Sequence, residues 1–252
     1  MSELVIDINS DLGESPEALA NGSDLELMRS ITSANIACGG HAGDESSMKQ
    51  TLAAAREFKV AAGAHPSYPD RANFGRAAMQ LAPEELEAAI RGQILSLAEL
   101  ADRLGMRLSH VKPHGALYHA ARERQVADAI GRAALSVDPK LVMVGQAGSS
   151  TLRYWREMGL RCAAEAFADR VYESDGRLRS RNLPGALLDS PARAAQQALE
   201  IAQHHRALTP EGKHVAVSGE TLCIHSDTPN ATAIAQEVRR QLQGAGFVVR
   251  PL

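Results

Sequence analysis

The sequence contains few aromatic residues and few cysteines. Phe, Trp and Tyr make up 4% of its 252 residues, and Cys38, Cys162 and Cys223 lie far apart without a CxxC pair. An odd number of scattered cysteines indicates free thiols in a reducing compartment instead of a disulfide framework. Few aromatics and plentiful alanine favour closely packed helices over a β-sandwich.

Other absences exclude whole classes of partner. No apolar run approaches the roughly 20 residues of a membrane-spanning helix, and Met1-Ser2-Glu3 lacks the basic start of a secretory signal. The net charge of -3 argues against a nucleic-acid or anionic-membrane surface. The sequence has neither a GxxxxGK[ST] phosphate loop nor a GxGxxG fingerprint. We therefore expect a cytoplasmic protein that binds neither nucleic acid nor membrane.

Apolar segments of strand length alternate with helical segments along the chain. The predicted strands cover residues 4–9, 33–38, 60–64, 108–112, 141–145, 161–167 and 220–225, with a short final strand at 247–249. The predicted helices cover residues 24–31, 45–58, 83–104, 119–135, 148–158 and 190–206, and a last one follows Thr228. Asp24 and Asp44 are the expected N-caps of the first two helices. Without a linker or repeat, we expect one domain over residues 1–252.

Ionisable residues gather at the predicted carboxyl ends of these strands. They are Asp7, Asp11, His41, His65, His110, Lys112, His114, Glu165, Asp169, Arg170, His225 and Asp227. In a barrel of parallel strands, the loops at this end build the site. A doubly wound open sheet would place ligands there only near its switch point. Polar endings on six strands therefore favour an α/β fold with a distorted, seven-stranded parallel (β/α) barrel.

This inventory is compatible with more than one chemistry. Carboxylates and several imidazoles can hold a divalent metal, with Asp11, His41 and His65 as candidates, although no HExxH motif occurs. Without a metal, Asp, His and Lys can act as general base, general acid and oxyanion stabiliser. A thiol nucleophile at Cys38 is disfavoured, because no neighbour in the sequence clearly lowers its pKa.

Six stretches together resemble the LamB/YcsF family. They cover residues 7–14, 32–44, 63–76, 110–118, 165–172 with 175–176, and 221–230, in the family's order. The chain departs from the family pattern at Gly40, where a Phe is usual, and at Ser226, where a Gly is usual. Both departures fall in loops and leave the ionisable residues intact.

The resemblance implies a seven-stranded barrel related to carbohydrate deacetylases. It also implies a role in the opening of the lactam 5-oxoproline to L-glutamate, driven by ATP together with Mg²⁺. The family protein works with two partner subunits, B and C, and a homo-oligomer is left open. Two alternatives remain: a metal-dependent amidohydrolase or deacetylase that works alone, and a non-catalytic regulatory subunit.

Site residues can be assigned as hypotheses on this basis. Asp11 or His114 would activate water, Lys112 and His65 would stabilise the developing oxyanion or phosphate, and Arg170 would hold the substrate carboxylate. The further substrate-binding candidates are Asp7, Asn9, Asn35, His41, His110, Tyr118, Glu165, His225 and Asp227.

Overall fold

The computed structural model describes residues 3–252. The strands are β1 (Val5–Leu12), β2 (Ser33–Ala37), β3 (Ala61–His65), β4 (His110–Val111), β5 (Val142–Gln146), β6 (Cys162–Phe167), β7 (Arg206–Leu208), β8 (His214–Ala216), β9 (Thr221–Cys223) and β10 (Val248–Val249). The helices are α1 (Pro16–Ala20), α2 (Ser23–Met28), α3 (Glu45–Phe58), α4 (Pro83–Arg103), α5 (Gly115–Ala120), α6 (Arg124–Val137), α7 (Ser150–Glu157), α8 (Pro191–His204) and α9 (Ala231–Gly244).

Seven of the strands form a closed parallel barrel. The order is β1-β2-β3-β4-β5-β6-β9, and β9 pairs with β1 to close it, with Asp7 opposite Thr221 and Asn9 opposite Cys223. β10 adds in parallel to the start of β1, outside the ring. The predicted barrel is therefore confirmed, and the open doubly wound sheet is excluded.

Side-chain alternation on β1 shows how the barrel is filled. Ile6 and Ile8 belong to the buried apolar core, whereas Asp7 and Asn9 hydrogen-bond to side chains of β2 and β9 on the neighbouring strands. Successive side chains of a strand point to opposite faces, so the apolar set packs under the helices and the polar set fills the barrel. A buried polar interior is tolerated only when its groups are hydrogen-bonded.

The long helices form where the apolar spacing predicts them. α3 begins after Asp44, whose side chain accepts from the Ser47 amide and so caps the helix as predicted. α4 begins at Pro83, and its buried residues follow helical spacing from Leu86 to Leu100. α6 packs against α4 over the outside of the barrel.

Two local predictions are wrong, and two features were missed. Asp24 does not cap α2, which has Gly22 at that position; its carboxylate instead accepts from the Gly13 amide at 3.0 Å. The helix predicted at 119–135 is two helices, α5 and α6, with a turn between them. α1 and the antiparallel hairpin of β7 and β8 were not predicted, because their short segments have too few residues for a clear apolar period.

Two expectations concern targeting. Among residues 3–252, no helix combines the length and the apolar character needed to cross a membrane. The expectation that the N-terminus lacks a secretory signal rests partly on Met1 and Ser2, which lie outside the described residues.

Candidate active site

A cavity of about 430 Å³ opens at the carboxyl ends of the barrel strands. The predicted site residues on its wall are Asp11, His65, Lys112, His114, Tyr118, Arg170, His225 and Asp227. The other predicted residues, Asp7, Asn9, Asn35, His41, His110 and Glu165, lie outside the wall. A cavity of this size accommodates a small molecule.

Lys112 occupies the barrel interior directly below the cavity. Its Nζ donates to Asp11 Oδ1 at 2.8 Å, and it lies 2.9 Å from Glu165 Oε1 and 3.2 Å from Cys223 Sγ. Burial would lower the pKa of Lys112, but Asp11, Cys223 and Glu165 together hold the pKa well above the usual range. The ammonium is therefore charged and held between two carboxylates.

Asp11 is the anionic partner in this group. Burial would raise the pKa of Asp11, but the neighbouring His65 and Lys112 charges outweigh burial and hold it well below the usual range. The other oxygen of Glu165, Oε2, accepts a hydrogen bond from the Tyr118 hydroxyl at 2.7 Å. Burial, followed by the charge of Glu165, raises the pKa of Tyr118, so this phenol stays protonated as a donor.

A neutral layer lies deeper in the barrel. Asn35 Nδ2 donates to Asn9 Oδ1 and to Asp11 Oδ1, both at 2.8 Å, and His110 Nε2 lies 2.8 Å from Asn35 Oδ1. Burial lowers the pKa of His110 to about 3, so its ring is neutral. The ring fits because Gly63 has no side chain: a Cβ there would lie 2.2 Å from the imidazole.

Asp7 lies at the bottom of this layer. Its carboxylate accepts from Thr32 Oγ1 at 2.6 Å, from Ser33 Oγ at 2.7 Å and from Thr221 Oγ1. Burial raises its pKa. The sequence predicts that Asp7, Asn9, Asn35 and His110 contact the substrate, but these residues lie below the cavity wall. We interpret them as residues that support the layer above.

His65 and His114 meet at the cavity wall. His65 Nδ1 donates to the Lys112 carbonyl at 2.7 Å, and His114 Nε2 donates to the Phe74 carbonyl at 3.0 Å. These bonds fix both tautomers. The remaining nitrogens, His65 Nε2 and His114 Nδ1, face each other at 3.0 Å. Two lone pairs repel each other, so this contact requires a proton or another cation between them.

Glu14 completes this cluster and was missed by the sequence assignment. Its Oε1 lies 2.8 Å from His41 Nε2 and 3.2 Å from His114 Nδ1. The His41 ring stacks on the His114 ring with centroids 3.7 Å apart. Burial would raise the pKa of Glu14, but its contacts with His114 and His41 hold it below its usual range. Burial lowers the pKa of His41 to about 4.

Two glycines allow this cluster to form. Gly13 has a φ of +71° and turns the chain after β1, so that Glu14 reaches back toward the strands. Gly75 has a φ of +64°, and a Cβ there would come within 2.9 Å of His41 Cβ. Positive φ favours glycine. The signal for Glu14 in the sequence was its place three residues after Asp11, beyond a glycine turn.

A second imidazole–carboxylate pair follows strands β6 and β9. His225 Nδ1 lies 3.0 Å from Asp169 Oδ2, and the same carboxylate accepts from the His225 amide and the Thr228 hydroxyl. Burial would raise the pKa of Asp169, but His225 and the Thr228 hydroxyl together lower it. Phe167 stacks on the His225 ring. An imidazole oriented by a carboxylate is suited to proton transfer.

Arginines surround the mouth of the cavity. Asp227 Oδ2 accepts from Arg181 Nη1 at 2.8 Å and from Arg76 Nη2 at 3.0 Å, so this carboxylate joins two loops. Arg170 donates through Nη2 to the Arg179 carbonyl, while its Nε is buried without a hydrogen-bond partner among the described residues. Arg170 therefore lines the cavity with one buried donor that no described protein group satisfies.

The thiol alternative receives no support. Cys38 is buried, and burial raises the pKa of its thiol to about 12. A thiol needs to reach the thiolate form to attack a carbonyl. Cys38 is therefore a core residue and not a nucleophile.

Comparisons with known proteins place this geometry in a family. The model of the LamB/YcsF family matches residues 6–252. The A subunit of 5-oxoprolinase from Chloroflexus aggregans is 47% identical over 248 residues, which is 98% of both chains. The crystal structure of a lactam utilization protein from Thermus thermophilus is 41% identical, with a TM-score of 0.91, and the match covers 98% of this chain and 100% of that chain.

A more distant similarity concerns the fold alone. A family 4 carbohydrate esterase from Streptomyces lividans, in complex with acetate, has a TM-score of 0.50 at 12% identity, over 97% of this chain and 91% of that one. The predicted relation of the fold to carbohydrate deacetylases is confirmed at this level. Because the family model and the relative from Chloroflexus both match nearly the whole chain, this protein belongs to the LamB/YcsF family.

Proposed function

We propose that this chain is the A subunit of an ATP-dependent 5-oxoprolinase, which opens 5-oxo-L-proline to L-glutamate. The relative from Chloroflexus is named as the A subunit of 5-oxoprolinase, and the Thermus protein is called a lactam utilization protein. The observation that carries the proposal is the cavity itself. Its wall or floor presents a buried ammonium, two imidazole–carboxylate groups and an arginine guanidinium.

The reaction chemistry explains a need for ATP. A five-membered lactam is a stable amide, and ring closure competes with opening. Phosphorylation of the carbonyl oxygen makes the ring carbon electrophilic. Water then adds to this carbon, the C–N bond breaks as the amine takes a proton, and an acyl phosphate remains. A second water converts it to the carboxylate and phosphate.

Arg170 and Lys112 suit the binding of the substrate's negative charges. We assign the Arg170 guanidinium, which lines the cavity, to the α-carboxylate of 5-oxoproline, because a charged donor in a site sheltered from water binds a carboxylate strongly. Lys112 provides a permanent positive charge at the cavity floor for the developing oxyanion or the phosphate.

Proton transfers are assigned to the imidazoles. His65 and His114, with Asp11 within 3.4 Å of His65 Nε2, form the group that activates water. His225 also lines the cavity, and Asp169 holds its Nδ1. We assign His225 as the group that protonates the departing amine and Asp169 as its positioning residue.

ATP, with Mg²⁺, and two partner subunits belong to this proposal. The sequence has no phosphate-loop motif, so we propose that subunits B and C contribute to nucleotide binding and phosphorylation. A homo-oligomer of this chain is left open.

The test is glutamate release from 5-oxoproline in the presence of ATP and Mg²⁺. The chain is assayed alone and then mixed with its two partner subunits. Activity only in the mixture, lost in His225→Ala but retained in the surface variant Lys49→Ala, is the expected result. Full activity of the partners without this chain would contradict the proposal.

A second candidate is a metal-dependent amidohydrolase that works alone. The cluster of Glu14, His41, His65 and His114 favours it, since three imidazoles and a carboxylate are a common metal-ligand set. Amide hydrolysis by the isolated chain without ATP would select this candidate.

A further inference from the structure

Four potential ligand atoms converge at one side of the cavity. They are Glu14 Oε1, His41 Nε2, His65 Nε2 and His114 Nδ1, and such a set lies within 4.8 Å of one another. The four residues come from the ends of β1 to β4 or from the turns that follow them. Three of them, Glu14, His65 and His114, also line the cavity wall.

The spacing of these atoms matches a metal centre. A Zn²⁺ ion with bonds of about 2.0–2.1 Å in a tetrahedral site places its ligand atoms about 3.3 Å apart. The distances here are 2.8 Å from His41 Nε2 to Glu14 Oε1, 3.2 Å from His114 Nδ1 to Glu14 Oε1, 3.0 Å from His65 Nε2 to His114 Nδ1 and 3.7 Å from His65 Nε2 to Glu14 Oε1.

The surrounding hydrogen bonds provide an independent observation. Histidines that bind a metal almost always donate their other ring N–H to a carbonyl or carboxylate. His65 donates to the Lys112 carbonyl and His114 to the Phe74 carbonyl. Both rings therefore present a lone pair to the same point, beside an anionic carboxylate.

The second group of potential ligands serves as a contrast. Asp11, Cys223 and His225 also lie close together, but Lys112 Nζ stands 2.8 Å from Asp11 Oδ1 and 3.2 Å from Cys223 Sγ. The ammonium already fills the cation position there. Among the described residues, the ion-pair partners of Glu14 are the three histidines alone, so no ammonium or guanidinium fills the cluster.

We infer that Glu14, His41, His65 and His114 form a binding site for one divalent transition-metal ion. Nitrogen-rich ligands select Zn²⁺, Co²⁺, Ni²⁺ or Fe²⁺ over Mg²⁺, which prefers oxygen. When bound, such an ion supplies a Lewis acid or an activated water at the cavity wall. It also joins the ends of four consecutive strands, so its binding stabilises the folded chain.

Metal binding by the full chain tests the site. Protein stripped with a chelator is titrated with Zn²⁺, and with Co²⁺ to read its visible absorption. We expect uptake of one ion per chain, a four-coordinate Co²⁺ spectrum and a higher thermal unfolding temperature. His41→Ala should lose all three signals, whereas the control His119→Ala, on the cavity wall outside the cluster, should keep them.

If His41→Ala fails to fold, Glu14→Gln provides a second test of the same site. The amide preserves side-chain size and should weaken Zn²⁺ binding at least about tenfold. The inference is overturned if folded wild-type protein binds neither ion, or if both variants bind as tightly as wild type. Binding is measured without substrate, so absence of 5-oxoprolinase activity does not decide it.

Discussion

Two layers of the barrel interior have opposite character. In the lower layer, Asp7, Asn9, Asn35 and His110 satisfy one another or neighbouring hydroxyls. In the upper layer, Lys112 lies between two carboxylates, and two histidine lone pairs face each other. Because the polar groups of the lower layer already hydrogen-bond to one another, few donors or acceptors remain there for a ligand. The upper layer concentrates charge and unused lone pairs, which is typical of a site that binds and reacts.

The largest effect is expected from the removal of the central charge. Lys112→Met leaves Asp11 and Glu165 buried without their cation, and breaking a buried pair costs about 3–5 kcal/mol of unfolding free energy. We also expect about a 10³-fold loss in kcat, since an oxyanion stabiliser is removed. Chemical denaturation and glutamate release of the complete complex measure the two effects. Unchanged activity in a folded variant would remove the catalytic assignment of Lys112.

The proton-transfer pair provides the next test. Asp169→Asn replaces a carboxylate that accepts from His225 with an amide of the same size, so the imidazole loses its orienting anion. We expect kcat to fall by about 10²-fold with little change in KM. The solvent-exposed Asp175→Asn serves as the control. A rise in KM with unchanged kcat would show that Asp169 shapes substrate binding instead.

The packing of the lower layer is tested at a glycine. Gly63→Ala puts a Cβ within 2.2 Å of the His110 ring, and overpacking of this kind lowers the unfolding free energy by about 1–3 kcal/mol. The matched control is Gly92→Ala in α4, where a Cβ meets nothing within 4 Å. That variant should gain about 0.5–1 kcal/mol, because alanine favours helix. Equal stability of both variants would contradict the close packing.

The last prediction concerns the turn that places Glu14. Burial raises the pKa of Asp24 to about 6, above the value in an unfolded chain, so its stabilising contribution is present at acidic pH and is lost as pH rises through about 6. Asp24→Asn removes the titrating carboxyl group, so the stability of this variant does not fall in this way as the pH rises. Its unfolding free energy relative to wild type should rise by about 2–3 kcal/mol from about pH 4 to pH 8. A pH-independent difference would mean that Asp24 is not protonated in the folded protein.

Much of the site was predictable because it depends on position along strands. His65, Lys112 and His225 come at or just after strand ends, and strand ends meet at one edge of a parallel barrel. Glu14 was not predictable in this way, since it lies beyond Gly13 and reaches the cluster only through a turn. The depth of each residue was also hidden, because a strand pattern gives the face of a side chain and not its distance from the mouth.

Gly40, where the family usually has a Phe, is a second feature whose surroundings the sequence does not reveal. The sequence identifies a missing Phe, but only the structure places Gln93 and Ser67 around the glycine, where a Cβ would lie 2.3 Å and 2.4 Å from their side-chain oxygens. Gln93 Nε2 donates to the Ser67 carbonyl and Oε1 accepts from the Ser67 amide. Gln93 of α4 therefore packs against the loop that contains Gly40.

Sequence patterns are enough to predict the alternation of strands and helices, the barrel class and the chemical types gathered at one end. Apolar periodicity and strand-end polarity are local patterns, so they can be found without a structure. Tertiary structure alone decided which polar groups pair. Lys112 meets Glu165, and His225 meets Asp169, across tens of residues. Such contacts depend on strand register and loop path, and these emerge only when the barrel closes.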